Sequence, residues 1–455
     1  MNSLVAPGEP GDRGDANYVP AQGFNILRLT LLVFTVNLIS AVLFIHFINR
    51  PVYDDPYNIF DVHNYAQNGF SAATLQNHRN PPGPTSFLWM AGVVSLLKGN
   101  ELRDARIGTL LSWILLTAGI VAGAHFSRFR ETWYGALLVL LVFPHTLEAM
   151  ATVLTEGPAL FFACMGALAW AEFVSRRVAD PAMAVVAILG GLSMGLAVTC
   201  RQYNLALLPA AGVLAFHEFW KAEFHGVLKW TTATVSLAMA AVPVAALVLA
   251  WKGLSSPGMA TGTSYHNMWH AGIGFSFSRP IIAAFYAMLY LTPFTFPVIL
   301  TVTKPHRKIM IAIAVLGGIA ASLFISSLLQ PGPLQSVIRF ASRLPRLGYA
   351  VFFLITMTAI YNALAVGLVL WRRRAPVLAS APLVLALLIV FFFVAEQVGV
   401  GGNIPFYDRY VLQIAPFLGI IAFSILPKLD RPRVFVLLIL SVFSHFMLWR
   451  YAVAA

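Results

Sequence analysis

The feature that most constrains this chain is a series of apolar runs, each about 17 to 25 residues long, that recur along the whole sequence. Helices of this length can cross the hydrocarbon core of a bilayer, and their internal hydrogen bonds satisfy the backbone there. Only 11% of the residues are charged and 59% are hydrophobic, whereas about a quarter of a soluble chain is charged. The sequence therefore predicts an all-α polytopic membrane protein and excludes a soluble nucleotide-binding module.

The apolar segments can be delimited directly from the sequence. They are 25–47, 84–98, 107–126, 133–152, 156–175, 182–200, 203–217, 229–251, 281–303, 308–329, 349–371, 377–398, 411–427 and 434–450. The segment 84–98 is short and follows Pro81-Pro82-Gly83, so we expect it to lie in the membrane plane as an interfacial helix. The sequence then predicts a bundle of about 13 transmembrane helices, with the N-terminus inside and the C-terminus outside.

Basic residues give the orientation of this bundle. The net charge of +12 comes largely from short clusters between apolar segments. With 84–98 in the membrane plane, one side receives Arg128/Arg130, Arg176/Arg177, Lys221/Lys229, Lys304/Arg307/Lys308, Arg372/Arg373/Arg374 and Lys428/Arg431/Arg433. The positive-inside rule makes that side the cytoplasm, and the same pattern argues against nucleic-acid binding. If 84–98 crossed the bilayer, every later assignment would be inverted.

The domain organisation follows from this threading. Residues 1–24 are polar and predict a disordered cytoplasmic tail, while 25–455 predict a single transmembrane domain. Within it, 48–106 is an outer loop that contains the interfacial helix 84–98. The first apolar stretch is long enough to remain as a span, so we expect no cleavable signal. The excess of arginine over lysine and the absence of Asn-x-Ser/Thr sequons favour a bacterial inner membrane over the endoplasmic reticulum.

The first outer loop has the densest group of ionisable side chains. Asp54, Asp55, Asp61 and His63 fall within ten residues, and Tyr65 follows. Adjacent carboxylates repel each other, and such groups are a common source of a general base that works near neutral pH. A solvated acidic loop that helps to set the topology explains the same residues equally well.

Polar residues at two outer span ends also suggest a site. Glu156 opens an apolar helix, where a carboxylate also suits the helix dipole. Arg201-Gln202 interrupts the apolar stretch at an outer turn. An arginine on the outer side runs against the positive-inside trend and suggests an anionic ligand such as a phosphate. Capping by Glu156 and snorkelling by Arg201 are the alternative interpretations.

Further arginines extend the basic character of the outer side. Arg339, Arg343 and Arg346 recur at spacings of four and three, which places them near one face of a helix. This stripe could bind lipid phosphates specifically or anchor headgroups in general. Arg409 begins a late span, with Asp408 as a neighbouring partner.

Two histidines raise the question of a metal. His266 and His270 have the i, i+4 spacing that can bind a metal on a helix. No glutamate lies between them and no third ligand is evident. A histidine pair in a hydrogen-bonded loop is the alternative that we favour.

Taken in order, several short motifs resemble the GT-C superfamily of membrane glycosyltransferases, most closely the dolichyl-phosphate-glucose-dependent α-1,2-glucosyltransferases. The matching stretches are Asp54-Asp55 (Asp-Glu in the family), Tyr65, Phe70-Ser71, Pro81-Pro82-Gly83, Phe143-Pro144, Thr155-Glu156, Arg201-Gln202-Tyr203-Asn204, His266 with His270, and Arg409-Tyr410. They cover about residues 50–415. Because Asp55 replaces a glutamate and the chain is compact, a bacterial relative that uses an undecaprenyl- or decaprenyl-phosphate sugar also fits.

This resemblance implies an inverting glycosyltransferase that acts at the extracytoplasmic face. It would move a hexose, with glucose as the first expectation, from a polyprenyl-phosphate sugar to a lipid-linked or cell-envelope glycan acceptor. Asp54 is then the expected base and Asp61 the alternative base. Asp55 would orient the acceptor or coordinate a divalent cation, Mg²⁺ or Mn²⁺, as the one cofactor to consider.

The resemblance and the outer arginines together predict a set of substrate-binding residues. They are His63, Tyr65, Glu156, Arg201, Gln202, His266, His270, Arg339, Arg343 and Arg409. The arginines would neutralise the departing lipid phosphate and Glu156 would hold sugar hydroxyls. A transporter or lipid flippase is the rival interpretation; its polar groups should lie near mid-membrane in broken helices.

Overall fold

A computed structural model of the chain describes most of the sequence. The described residues are 25–80, 83–176, 180–220, 227–252, 256–258, 276–302, 304–329, 333–343, 346–399, 408–426 and 428–453. Within these ranges every secondary-structure element is helical. The predicted tail 1–24, Pro81-Pro82 and the histidines His266 and His270 lie outside the described residues.

The first half of the chain builds the outer loop and part of the bundle. Its helices are α1 (Ile26–Phe47), α2 (Asp55–Asn68), α3 (Ala72–Gln76), α4 (Pro84–Leu97), α5 (Glu101–His125), α6 (Arg130–Val142), α7 (Thr146–Ala151), α8 (Glu156–Ser175), α9 (Pro181–Cys200), α10 (Leu207–Trp220) and α11 (Val227–Trp251). A 3₁₀ segment, Gln202–Ala206, joins α9 to α10.

The second half completes the bundle. Its helices are α12 (Ser278–Thr295), α13 (Lys304–Leu323), α14 (Ile325–Leu328), α15 (Pro333–Ala341), α16 (Leu347–Arg372), α17 (Arg374–Leu378), α18 (Ala381–Glu396), α19 (Ala415–Ile425) and α20 (Arg431–Val453). The 3₁₀ segments Phe296–Thr301 and Asp408–Ile414 follow α12 and precede α19.

The described ranges contain nine helices that are long and apolar enough to cross a membrane. These are α1, α5, α8, α9, α11, α12 with its 3₁₀ extension, α13, α16 and α20. The predicted spans 203–217, 377–398 and 411–427 correspond to the shorter helices α10, α18 and α19. The all-α polytopic membrane fold predicted from the apolar runs is therefore confirmed.

One predicted span consists of two helices instead of one. The sequence predicted a single helix over 133–152, but α6 ends at Val142 and α7 begins at Thr146. Proline disfavours helical geometry in the residue before it, and Phe143 accordingly has an extended ψ of 139°. Pro144 also has no N–H to continue the helix. The break lets the chain enter α8 from a short buried turn.

Contacts at the helix ends divide the bundle into two faces. Arg128 donates to the carbonyl of Ser175, which ties the α5–α6 turn to the end of α8. Lys229 donates to the carbonyl of Val174, so α11 begins at the same face. Arg433 donates to carbonyl groups of the chain that follows α19. Members of three of the clusters assigned to the cytoplasm thus cap the ends of neighbouring helices, and we call this the basic end.

The helix α4 lies at the opposite face, called here the outer end. The Ser86 hydroxyl donates to the carbonyl of Thr155, just before α8 begins. The Trp89 indole donates to the carbonyl of Gly108, two turns into α5. Because α4 starts beside the end of α9 and returns along the outer turns of α5, both its ends lie at one face. That 84–98 lies in the membrane plane stays a prediction.

A close backbone contact explains the glycine that precedes α4. A Cβ atom at Gly83 would lie 2.0 Å from the carbonyl oxygen of Thr199 at the end of α9. No rotation of a side chain could relieve this clash, because the atom it meets belongs to the backbone. Gly83 therefore lets the start of α4 pack directly on α9.

We expect Gly83→Ala to displace α4 and to destabilise the protein by about 1–3 kcal/mol, the usual cost of overpacking. Gly92→Ala on the same helix is the matched control, since its added Cβ would meet no atom within 4 Å. That variant should be neutral or slightly stabilising. Thermal unfolding of both purified variants checks this, and equal melting temperatures would contradict the close contact.

Candidate active site

The first outer loop is held by a buried arginine on α5. Arg106 donates to the carbonyl groups of Ile48 and Arg50 and, at 2.5 Å, to Asp55 Oδ2. The other carboxylate oxygen, Asp55 Oδ1, accepts the N–H of Val153 at 2.6 Å. Asp55 is fully buried, and its hydrogen-bonding groups are occupied within the protein. This geometry favours a role in positioning the loop over contact with a substrate.

Asp61, six residues further along α2, is a second buried carboxylate with its hydrogen-bond partners inside the protein. It is fully buried and accepts the backbone N–H groups of Arg79 and Asn80 at 3.1 and 3.0 Å. The Asn80 side-chain amide adds a hydrogen bond of 2.6 Å. The carboxylate thus fixes the chain immediately ahead of α4, and no face of it is open to an acceptor.

Of the three aspartates Asp54, Asp55 and Asp61, Asp54 is the one that remains accessible. It stands at the N-cap of α2 without making a capping hydrogen bond. Its Oδ2 lies 2.7 Å from Arg409 Nη2, and its side chain is 26% exposed. The preceding Tyr53 has a φ of 58°, which a bulky residue rarely adopts. The Arg409 guanidinium lies 4.8 Å from the Tyr53 ring centre and covers this turn.

A second ion pair lies at the start of α8. Glu156 Oε1 is 3.1 Å from Arg201 Nη2, and Arg201 Nη1 donates to the Thr155 hydroxyl at 2.7 Å. Glu156 is nearly fully buried, yet within the described part of the chain neither of its oxygens accepts a hydrogen bond of good geometry. A carboxylate in this state has acceptor capacity left for hydroxyl donors.

Electrostatics and aromatic rings connect the two ion pairs. Glu156 lies close enough to Arg409 for its charge to act on that guanidinium. The rings of Tyr203 and Tyr410 are 4.6 Å apart. The guanidinium carbons of Arg201 and Arg409 lie 5.5 and 5.9 Å from the Tyr410 ring centre. Asp54, Glu156, Arg201 and Arg409, with these two tyrosines, are called the outer cluster below.

The cluster depends on a link between two 3₁₀ segments. Asn204 donates to the Gln413 side-chain oxygen at 3.2 Å and to the carbonyl of Arg201 at 3.3 Å. Arg201 directly precedes the segment Gln202–Ala206, and Arg409 is the second residue of the segment Asp408–Ile414. Residues 208 positions apart in sequence are thereby held side by side.

Sequence reasoning missed Arg279, the first-turn arginine of α12. It is 3% exposed, donates to Gln397 at 3.2 Å, and lies close enough to Tyr203 for its charge to act on the phenol. The signal that could have found it is the one that singled out Arg201: an arginine at the outer end of an apolar span. Arg106 was missed too, because its burial depends on a loop more than 50 residues upstream.

Two predicted site residues of the outer loop, His63 and Tyr65, have their partners within the same loop. His63 Nδ1 lies 2.8 Å from Glu101 Oε1, and the histidine is 47% exposed. The Tyr65 hydroxyl lies 3.3 Å from His78 Nδ1. Burial, with a smaller contribution from Asp61, raises the pKa of Tyr65. The phenol therefore stays protonated and supports the loop through His78.

The predicted arginine stripe lies apart from the outer cluster. Arg339 and Arg343 are exposed, on and just after α15, which packs against the start of α16. Among the residues that the structure describes, no hydrogen bond or ion pair joins them to the cluster. Gln202 is half-buried directly beside Arg201.

No protein-family model matches this sequence, and a search of curated proteins finds no match. One similar solved structure is ArnT from Cupriavidus metallidurans bound to undecaprenyl phosphate, at TM-score 0.43 and 14% identity, covering 93% of this chain and 78% of that chain. The apo state of ArnT from the same organism is similar at TM-score 0.38 and 13% identity, covering 92% of this chain and 77% of that chain. The apo form of the Archaeoglobus fulgidus oligosaccharyltransferase is similar at TM-score 0.32 and 12% identity, covering 82% of this chain and 56% of that chain. Because these sequence identities and TM-scores are low, the chemistry of this protein has to be inferred from its own residues.

Removal of the Arg106 guanidinium should leave the Asp55 carboxylate buried without its cation. We expect Arg106→Met to cost about 3–5 kcal/mol and to lower the melting temperature sharply. Arg103→Met, three residues earlier on the same helix, is the control, because the Arg103 side chain is 49% exposed. That substitution should change stability by less than about 1 kcal/mol. Thermal unfolding in detergent decides, and a small loss for Arg106→Met would refute its role as the anchor of the loop.

Proposed function

We propose that this chain is an inverting membrane glycosyltransferase of the GT-C type, which takes its sugar from a polyprenyl-phosphate donor at the outer end of the bundle. The observation that carries the proposal is the convergence of Asp54, Glu156, Arg201 and Arg409 in one cluster. These residues come from four distant parts of the sequence. The sequence resemblance assigns each of them to the same chemistry.

The two arginines supply the electrostatic part of the reaction. As the bond between the anomeric carbon and the phosphate oxygen breaks, its electron pair and the negative charge pass to the lipid phosphate. Arg201 and Arg409 would stabilise that charge with pre-oriented N–H donors in a site of low dielectric constant. The apolar helices around the cluster would take the prenyl chain.

Asp54 is the base in this proposal. It accepts the proton of the acceptor hydroxyl while that oxygen attacks the anomeric carbon from the side opposite the phosphate, which inverts the configuration. Asp54 pairs with Arg409 in this structure. A donor phosphate that recruits Arg409 would release the carboxylate, so the base would become available only after the donor has bound.

The remaining residues take supporting roles. Glu156 would accept hydrogen bonds from hydroxyl groups of the donor sugar, and Asp55 and Asp61 would hold the loop that carries Asp54. Among the described residues no group of three or more His, Cys, Asp or Glu side chains could hold a metal ion. Since Asp54 and Asp55 already have arginine partners, we assign no step to a divalent cation.

The finer assignments follow the sequence resemblance. Glucose is the first hexose to test and a lipid-linked or cell-envelope glycan is the acceptor. The location would be a bacterial inner membrane, with the cluster on the extracytoplasmic side. Membrane lipids and the polyprenyl donor are the partners that this function needs.

Sugar transfer by the purified protein tests the proposal. With polyprenyl-phosphate [14C]glucose and a cell-derived glycolipid pool, we expect labelled glycolipid from the wild type. Asp54→Asn should lower kcat about 10²–10⁴-fold, because it keeps the shape of the side chain but cannot take the proton. Asp180→Asn is the matched control at the basic end, since asparagine caps α9 as well as aspartate does.

Asp61→Asn separates the two candidate bases. It should lower the melting temperature, because an amide cannot accept all the hydrogen bonds now made to Asp61, whereas Asp54→Asn should leave it unchanged. Loss of transfer by a fully stable Asp61→Asn variant, with Asp54→Asn active, would move the base to Asp61.

A transporter or lipid flippase is the second candidate, and one observation favours it. Beside the break between α6 and α7, the buried Glu148 lies 2.8 Å from the buried His145 and 3.0 Å from Arg450, which is about a third exposed. Buried ionisable groups at a helix break are typical of transport pathways. Absence of transfer from glucose, mannose and arabinose donors by folded protein, together with lipid movement across liposome membranes, would establish this alternative.

A further inference from the structure

A second feature of the molecule lies at the basic end, far from the outer cluster. An apolar groove of ≈ 520 Å³ opens between α12, α13 and α16. Six of the residues that line it are Met288, His306, Met310, Leu364, Gly367 and Trp371. All of these except His306 are apolar or small. The groove therefore suits a hydrocarbon chain along most of its length and a polar group at one end.

The direction of the two outer helices defines that polar end. Gly317 on α13 faces Ile360 on α16, while His306 and Trp371 share the other end of the groove. The helices are thus antiparallel, and the start of α13 lies beside the end of α16. Trp371 is 68% exposed, as expected of a tryptophan at a membrane–water interface.

Cations gather at this end of the groove. Arg307 and Lys308 are exposed in the first turns of α13, Arg372 is exposed at the end of α16, and Arg374 is exposed at the start of α17. The guanidinium of Arg374 lies 5.3 Å from the ring centre of Trp371, which lines the groove itself. The N-terminus of α13 adds the partial positive charge of its first N–H groups. An anionic headgroup at this position would meet charge of the opposite sign from both helices.

We propose that this groove is a binding site for one anionic phospholipid of the cytoplasmic leaflet. An acyl chain would lie against Met310, Leu364 and Gly367, and the phosphate would lie among the cations at the mouth. Basic pockets between transmembrane helices on the cytoplasmic side are suited to such headgroups. The occupant would connect α13 and α16, which are among the most exposed of the nine long helices. The site is separate from the proposed sugar transfer and does not depend on it.

The structure offers a substitution that fills the groove. A Cβ atom at Gly367 would meet no atom within 4 Å, so Gly367→Leu should occupy the space of the acyl chain without disturbing the helix. Gly212→Leu on α10 is the matched control, because its added Cβ would also meet no atom and Gly212 does not line the groove. Arg372→Gln with Arg374→Gln removes charge from exposed positions and tests the headgroup.

The experiment measures the melting temperature of the full chain in a neutral detergent after addition of phosphatidylglycerol or of phosphatidylcholine with the same acyl chains. Native mass spectrometry counts the lipid retained on each chain. We expect phosphatidylglycerol to raise the melting temperature of the wild type and of Gly212→Leu, and phosphatidylcholine to have little effect. Gly367→Leu and the double arginine variant should each lose the rise and the retained lipid.

Three results would overturn the proposal. Equal stabilisation by both lipids would show that the groove does not select an anionic headgroup. Retention of phosphatidylglycerol by Gly367→Leu would place the lipid elsewhere. Association of two chains that Gly367→Leu abolishes, without any effect of lipid, would identify a second copy as the occupant. If Gly367→Leu fails to fold, the arginine variant still decides, since its substitutions are exposed.

Discussion

The buried ion pair of Arg106 and Asp55 is the interaction on which the outer end of this protein depends. Both side chains are at most 1% exposed, and removing two charges from water costs several kcal/mol for each. The cost is offset only when geometry and hydrogen bonding are good, as they are here with four partners on the loop and on the turn before α8. The first outer loop therefore has one position relative to α5 and α8, and this position brings Asp54 to Arg409.

Neighbouring carboxylates in this loop consequently differ in what they can do. Asp55 cannot leave Arg106 without leaving a buried charge unpaired. Asp54 pairs with Arg409 at the rim, where the two side chains are 26% and 12% exposed. Exchange of partners there costs much less, because water and an incoming anion can both compensate the charges. The loop thus combines a fixed pair, which gives position, with an exchangeable pair, which suits a reaction that moves charge. Asp61 belongs with the fixed part, because its hydrogen bonds hold the chain ahead of α4.

Much of this architecture could be predicted from the sequence, and the reasons are physical. Spans such as 156–175 coincide with observed helices, because hydropathy and caps act locally along the chain. The break at Phe143-Pro144 was not predicted, because the residues on both sides of it are apolar and the hydropathy pattern is continuous. The proline nevertheless disfavours helical geometry in the residue before it. Arg201 and Arg409 were singled out because an arginine on the predicted outer side runs against the positive-inside trend. Burial of Arg106 and Asp61 was not predictable, since their partners lie 51 and 18 or 19 residues away. His63, which was predicted to bind substrate, lies on the exposed face of α2, beside Glu101.

The central claim is that the phosphate of a polyprenyl donor takes the place of Asp54 at Arg409. The most direct measurement is the affinity of purified wild-type, Asp54→Asn and Arg409→Gln proteins for a polyprenyl phosphate without a sugar. If the account is right, Asp54→Asn binds at least as tightly as the wild type, because its competitor for Arg409 has lost its charge. Arg409→Gln should bind about 10- to 100-fold more weakly, as expected for loss of a charge-assisted hydrogen bond. Unchanged binding by Arg409→Gln, or an equal loss in Asp54→Asn, would show that the phosphate is bound elsewhere and would contradict the proposed site.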